Sequence, residues 1–333
     1  MQTDEARWLA LVKIMLVIIA GFISSLACAR LNEPVVAQSG AAQLGQSGGI
    51  VDGTLRHQGL VRNYSLFIPS SYQPAGQYPL ILALHGGGGT GRSMCALKAG
   101  IQTLADAEGF IVVCPQGLEN HWNDGRHQVA YRAHQEAIDD VGFLMALVEH
   151  IGNEYAISEN QVFVTGYSNG GMMSYRLACE RSSDIRAIAA GIANLPVDLD
   201  CQPDQPIPVM ILNGTEDPLM PYQGGQVGTR RNPLGAVLST EATADFWASE
   251  NGCEPEPAVE TLPAQVATDQ TRLRQTTFSN CQSNSTVVLF TVVGGGHTWP
   301  GGSQYAPEFL IGPVSSQANA AELIWNFFRA TIH

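Results

Sequence analysis

Short apolar runs punctuate the chain at residues 60–68, 80–84, 110–114, 161–165, 208–212 and 287–293, and each is a strand candidate. Between them the period changes. From Tyr131 to Tyr155, Ile138, Val141, Leu144, Met145, Val148 and Ile151 recur at three- and four-residue spacing, which predicts an amphipathic helix. A last helix is predicted from about Ser316 to Thr331, with Ala320, Leu323, Ile324, Phe327 and Phe328 on one stripe. Alternating strands and helices predict an α/β fold, with a mostly parallel central sheet and helices on both faces. Ligands in such sheets bind beyond the carboxyl ends of the strands. Residues 214–236 and the Pro/Gly-rich stretch 299–313 read as loops bordering that end. No internal repeat and no heptad pattern is present.

One strand end carries a sharp chemical signature. Val162-Phe163-Val164 leads into Gly166-Tyr167-Ser168-Asn169-Gly170, and a helix-like run from Met172 to Ala178 follows. Gly-x-Ser-x-Gly between a strand and a helix is a nucleophile elbow, a turn that lifts the serine hydroxyl clear of the backbone. Side chains two residues before and after the serine would collide in so tight a turn, so Gly166 and Gly170 are needed there.

Serine alone is a poor nucleophile and needs a base and an orienting acid. In the fold that uses this elbow the chain order is Ser, then Asp or Glu, then His. Of eight histidines only His297 and His333 follow Ser168, and His333 is the last residue. His297 stands in a Gly-rich loop, Gly294 to Gly302, just after the apolar run 287–293. It is the expected base. The expected acid is Asp217, in the turn cluster Gly214-Thr215-Glu216-Asp217-Pro218 after the run 208–212, with Glu216 as its competitor. Asp198, Asp200 and Asp245 lack a strand before them.

The run 80–84 is followed by His85-Gly86-Gly87-Gly88-Gly89-Thr90-Gly91. Glycines free backbone N–H groups to face a developing oxyanion, and the Asn169 N–H is expected to supply the second donor. His85 precedes the serine and reads as a structural residue of the turn. Gly86-x-Gly88-x-x-Gly91 also fits a dinucleotide fingerprint, but that requires an acid at the end of the next strand. There the chain reads Cys114-Pro115-Gln116-Gly117, without one. The only lysines, Lys13 and Lys98, do not end a phosphate-binding loop. Neither Cys-x-x-Cys nor His-Glu-x-x-His occurs, so no metal and no organic cofactor is expected.

Composition narrows the partners. The 333 residues suffice for one large α/β domain, and 45% hydrophobic content suits a packed one. A net charge of −13 disfavours nucleic acid and anionic membrane surfaces, leaving small or oligomeric uncharged substrates. At the N-terminus Lys13 precedes the apolar run Ile14–Ile23, and Ala27-Cys28-Ala29 fits a cleavage site, so residues 1–29 read as a signal peptide. A retained anchor is the rival, and Ser25-Leu26-Ala27-Cys28 loosely resembles a lipoprotein site that would anchor Cys28. Residues 30–52 read as a flexible linker and 53–333 as the catalytic domain. Export leaves Cys95, Cys114, Cys179, Cys201, Cys253 and Cys281, an even number that suggests disulfides in a secreted, periplasmic or extracellular, protein. Six cysteines allow fifteen connectivities. Pairing sequence neighbours is the most economical of these: Cys95–Cys114, Cys179–Cys201 and Cys253–Cys281.

The ordered set Leu84-His85-Gly86-Gly87-Gly88, Gly166 to Met172, Gly214-Thr215-Glu216-Asp217 with Pro221-Tyr222, and Gly296-His297-Thr298-Trp299-Pro300-Gly301 resembles the polyhydroxybutyrate depolymerase and feruloyl esterase family of exported α/β-hydrolases. The resemblance spans about residues 53 to 332. It implies an α/β-hydrolase fold and a serine carboxylic-ester hydrolase with Ser168 as nucleophile, His297 as base and Asp217 as acid. It implies Gly87 and Asn169 as oxyanion donors, and Trp122 and Trp299 as borders of the acyl pocket. Family members also pair cysteines that resemble Cys253 and Cys281. Acetylxylan esterase and serine peptidase are alternatives on the same fold. Larger polymer-degrading members carry an adsorption domain that is not seen after the last helix here, so soluble esters are expected to be preferred over solid polymer.

Overall fold

The structure, a computed structural model, describes residues 48–97, 100–127, 129–229 and 232–332. The predicted signal peptide, most of the predicted linker, Cys28 and His333 lie outside these residues.

Among the described residues a ten-stranded sheet forms the frame, in the order β1-β2-β4-β3-β5-β6-β7-β12-β11-β10. The strands are β1 (Ile50–His57), β2 (Leu60–Phe67), β3 (Tyr78–Leu84), β4 (Ile111–Pro115), β5 (Ile157–Tyr167), β6 (Ala187–Gly191), β7 (Val209–Gly214), β10 (Ala258–Thr261), β11 (Arg272–Phe278) and β12 (Val287–Val293). The six strands from β4 to β12 in that order run parallel, and the flanking pairs are antiparallel. A separate hairpin pairs β8 (Gly225–Thr229) with β9 (Asn232–Val237).

Successive residues of the central strands enter two different cores, as period-two side chains must. Leu80, Leu82 and Leu84 of β3 and Val162 and Val164 of β5 pack on one face. Ile81, Ala83 and Phe163 pack on the other. The first face is covered by α4 (Asp140–Glu154), α5 (Asn169–Arg181) and α6 (Thr240–Glu250), which bury Leu144, Leu147, Met173, Leu177 and Trp247 there. The second is covered by α2 (Ile101–Glu108) and α8 (Ala320–Arg329), through Ile101, Ala105, Ile324 and Phe328. Helices on both faces explain why these strands read as unbroken apolar runs.

Several boundaries move. β1 begins at Ile50 and pairs with β2 from Ile50↔Phe67, so the end of the predicted linker is sheet. The helix predicted from Tyr131 is two: α3 (Arg132–Gln135) and α4, whose N-cap Asp139 accepts a hydrogen bond from the Gly142 N–H. The loop expected at 214–236 contains β8 and most of β9, and the stretch 299–313 holds a short helix, α7 (Glu308–Ile311). A further helix, α1 (Gly91–Cys95), follows the Gly-rich turn, capped by Thr90. Three disulfides join Cys95 to Cys114, Cys179 to Cys201, and Cys253 to Cys281. The pairing is that of sequence neighbours.

Candidate active site

The sheet order reverses around β3: the chain goes from β3 outward to β4, then returns to β5 on the other side. That reversal opens a crevice at the strand carboxyl ends. β3 and β5 end side by side, with Leu84 opposite Gly166, so the Gly-rich turn and the serine turn emerge together. β7 and β12 likewise pair Gly214 with Val292, bringing the Asp217 and His297 loops together.

Ser168 sits between β5 and α5 at φ 55°, ψ −123°. A positive φ is strained for a residue with a Cβ, and such strain is held only where the surroundings over-determine it. Here the Ser168 N–H donates to the Gly191 carbonyl and its own carbonyl accepts from the Met172 N–H, both at 2.9 Å. The turn tolerates no side chain nearby. A Cβ on Gly166 would strike the Gly170 backbone, and one on Gly170 the carbonyl oxygens of Leu84 and His85.

His297 Nδ1 lies 2.7 Å from Asp217 Oδ2. The carboxylate can only accept, so Nδ1 carries the proton of the neutral imidazole and Nε2 presents a lone pair. The other oxygen, Asp217 Oδ1, accepts from the Leu219 and Met220 N–H groups, both at 2.8 Å. Both side chains are buried, whereas Glu216 is exposed. Between the two adjacent acids, Asp217 is the one that faces His297. The His297 loop is pinned on both sides. Its N–H donates to the Ile311 carbonyl, and its carbonyl accepts from the Tyr305 hydroxyl at 3.0 Å. Burial pushes the Tyr305 phenol up to about 12, with the Asp217 charge adding to it, so Tyr305 remains a donor.

Ser168 and His297 line one cavity of about 650 Å³, together with Gly87, Asn169, Trp299 and Tyr305. In the Gly-rich turn, the Gly88 N–H donates to the Asn120 carbonyl and the Gly89 N–H to the Gly86 carbonyl. Among the described residues no acceptor meets the Gly87 N–H. Asn169 is the first residue of α5, where backbone N–H groups lack helical partners. Its carboxamide is locked: Oδ1 accepts from the Trp122 N–H at 2.8 Å, and Nδ2 donates to the Trp122 carbonyl at 3.0 Å and to Asp124 at 2.5 Å. Asp124 is fully buried. Burial alone would raise its carboxyl, but the charge of Arg126 and hydrogen bonds from His134 and Arg126 hold it well below the usual carboxylate range.

His85 is the structural residue expected of it. Its Nδ1 donates to the Gly86 carbonyl at 2.8 Å and its Nε2 accepts from the Gly117 N–H at 3.0 Å. Burial lowers its pKa to about 4.

The two tryptophans part company. Trp299 lines the cavity, edge-on to Tyr167 at 5.8 Å between ring centroids. Trp122 does not reach it. It is 0% exposed, packed against His85, with Nε1 donating to the His85 carbonyl at 2.9 Å. The expectation that Trp122 borders the acyl pocket is therefore corrected. An indole whose N–H is satisfied behind the Gly-rich turn supports that turn and cannot touch a ligand. Sequence reasoning also passed over His121, Arg126, Tyr131 and the hairpin residues Val227 and Leu234, all in the cavity wall. Only the proximity of His121 to Trp122 hinted at it; the others lie on segments with no motif. Among the described residues no group of His, Cys, Asp or Glu could hold a metal ion.

Residues 68–229 match the dienelactone hydrolase family. Feruloyl esterase C of Emericella nidulans is 30% identical over 273 residues, covering 81% of this chain and 84% of that one. NocK of Nocardia uniformis subsp. tsuyamanensis is 31% identical over 75% of this chain and 73% of its own. This chain belongs to an esterase family of α/β-hydrolases. The acetyl xylan esterase of Aspergillus awamori superposes with a TM-score of 0.52 at 16% identity, over 74% of this chain and 94% of that one, a likeness of fold. In this family member the elbow, the Gly-rich turn and His297 of the His297–Asp217 pair border one cavity at the sheet's carboxyl end.

Proposed function

We propose that the chain is an exported serine ester hydrolase of the feruloyl esterase and polyhydroxybutyrate depolymerase type. Ser168 Oγ attacks the ester carbonyl while His297 Nε2 takes its proton. Asp217 holds the imidazole in the right tautomer and stabilises it when charged. The N–H groups of Gly87 and Asn169 receive the oxyanion. As the tetrahedral intermediate collapses, His297 returns the proton to the leaving alcohol, and an acyl-Ser168 ester remains. Water, deprotonated by His297, repeats the sequence and frees the acid.

The observation that carries this reading is one cavity into which the strained Ser168 turn and the Asp217-oriented His297 both open. Its size suits a soluble ester or a short oligomer end rather than several polymer chains. Trp299 and Tyr167 supply an aromatic wall for a flat hydroxycinnamoyl group. Three disulfides fit an oxidising compartment, which supports export.

The test is a panel of purified esters compared by kcat/KM, with Ser168→Ala as blank. Methyl hydroxycinnamates and short hydroxybutyrate oligomers should be hydrolysed faster than solid polymer films. Cleavage of peptides but not esters would replace the reading with a peptidase.

A further inference from the structure

The same cavity is lined by a second histidine, His121, that the proposed mechanism leaves unused. His121 Nδ1 lies 2.8 Å from the Glu119 carbonyl oxygen. A carbonyl only accepts, so Nδ1 carries the proton of the neutral ring and Nε2 can only accept. Burial lowers the His121 pKa, so the ring is neutral near pH 7. Among the described residues, no donor meets Nε2. The contrast with His85 is instructive, because there the corresponding nitrogen is filled by the Gly117 N–H.

The ring is also held still. It stacks on Tyr131 with centroids 3.6 Å apart and planes 22° from parallel. Its backbone N–H donates to the Leu118 carbonyl at 3.0 Å, and a Cβ on Gly117 would press into its main chain. The edge that faces the Gly-rich turn is the Cδ2–Nε2 edge. A Cβ built on Gly87 would lie 3.3 Å from Cδ2 and 3.5 Å from Nε2. A fixed acceptor thus stands in the cavity wall beside the proposed oxyanion donor.

We infer that His121 is a specificity-determining residue, whose Nε2 accepts a hydrogen bond from a hydroxyl carried a few bonds from the scissile ester. This rests on the ester-hydrolase reading of the same cavity. The ester's own oxygens cannot donate to Nε2, and an apolar group would leave the acceptor desolvated and unpaired. Closeness to Gly87 sets the reach. The phenolic hydroxyl of a hydroxycinnamate, across a ring and a double bond from the carbonyl, lies too far away. Two sources share the required chemistry: a hydroxyl on the β-carbon of the acyl group, and one on the alcohol carbon next to the ester-bearing carbon, as in a sugar.

Two pairs of soluble esters of matched shape separate these sources. Methyl 3-hydroxybutanoate is compared with methyl 3-methylbutanoate, and 2-hydroxyethyl butanoate with propyl butanoate. The quantity read is the ratio of kcat/KM within each pair, which cancels any common loss. His121→Phe keeps a ring against Tyr131 but deletes the acceptor. In the pair carrying the recognised hydroxyl, the substitution should lower the ratio by about 3- to 10-fold, the worth of one hydrogen bond. His121→Gln, which retains an acceptor, should recover part of it. Ratios in both pairs unchanged by His121→Phe would overturn the inference. A second measurement covers a variant that does not fold. In Ser168→Ala protein labelled with ¹⁵N, the His121 Nε2 resonance should move on titration with a hydroxylated ester and not with its partner. Equal movement with both partners would also overturn the inference. Failure of the wild type to hydrolyse any ester would instead bring down the Ser168 reading, and the titration would still be readable.

Discussion

A single torsion makes Ser168 different from the serines around it: φ 55° lifts its side chain into the cavity, where His297 also opens. Ser168→Ala and His297→Ala should each abolish ester turnover in steady-state assays while far-ultraviolet circular dichroism stays unchanged. Loss of one triad member typically leaves about 1,000- to 10,000-fold over the uncatalysed rate. Asp217→Asn should fall well below wild type, since an Asn whose oxygen stays with the Leu219 and Met220 N–H groups turns its amide donors toward His297 Nδ1. Exposed Glu216→Gln should not. Full activity in Asp217→Asn would move the acid elsewhere. Trp299→Ala should lower kcat/KM more for a feruloyl ester than for an acetyl ester of the same alcohol, by about 3- to 10-fold. Equal losses would assign Trp299 to support of the His297 loop. His85 makes a pH prediction. Its pKa falls from 6.5 to about 4 on folding, because burial disfavours the cation. Between these values the unfolded chain binds a proton that the folded chain refuses, so stability rises with pH there. The contribution is present above pH 6.5 and is lost as pH falls toward 4. Denaturant unfolding should register a loss of about 3 kcal/mol from this group, at about 1.36 kcal/mol per pKa unit. His85→Gln should flatten that slope.

Elements act at the site by how closely they approach. α5 runs so near β3 that a methyl group on Gly170 would meet two carbonyl oxygens. Gly170→Ala should therefore destabilise by about 1 to 3 kcal/mol, as overpacking does. It should cost activity too, since α5 carries the Asn169 N–H. An unchanged denaturation midpoint would show that the turn can yield. The bridge between Cys253, just after α6, and Cys281, ahead of β12, spans 28 residues of sequence. In the chain-entropy model a loop of that length contributes about 3 to 4 kcal/mol. Replacing both cysteines by serine should lower the unfolding free energy by that order without changing kcat, because the bridge lies away from the cavity lining.

At the scale of the molecule, three bridges join α1 to β4, α5 to the loop that holds Cys201, and the two segments that flank β10 and β11. Exported protein analysed by mass spectrometry without reduction should show all three pairs, Cys253–Cys281 among them. Free thiols at these positions would contradict both the pairing and the proposed export. A net charge of −13 gives the surface a single dominant sign. Turnover of neutral esters should therefore depend little on ionic strength, because an uncharged substrate is not steered by that field. A strong salt dependence of kcat/KM would point instead to a charged substrate.

The sequence by itself determined most of the strands that are buried on both faces, and it singled out three residues whose proposed chemistry needs a fixed chain order. β3, β5, β7 and β12 announce themselves because helices cover both sides and leave no polar alternation. Ser168, Asp217 and His297 follow from the elbow and from the order of the strand ends. What failed to show were β6, a short buried strand made mostly of alanine and glycine, and the elements with exposed positions. β1 and β11 interleave polar residues with apolar ones, β10 is exposed along its length, and the β8–β9 hairpin is hidden by its glycines and Pro233. Only the tertiary structure decided which way a side chain points. Trp122 and His121 are neighbours in sequence, yet one is sealed behind the Gly-rich turn and the other opens into the cavity. Their directions are set by contacts with His85, Asn169 and Tyr131, which come from distant parts of the chain or from beyond the next loop. No local period encodes those contacts, because they exist only once the sheet has brought its strand ends together.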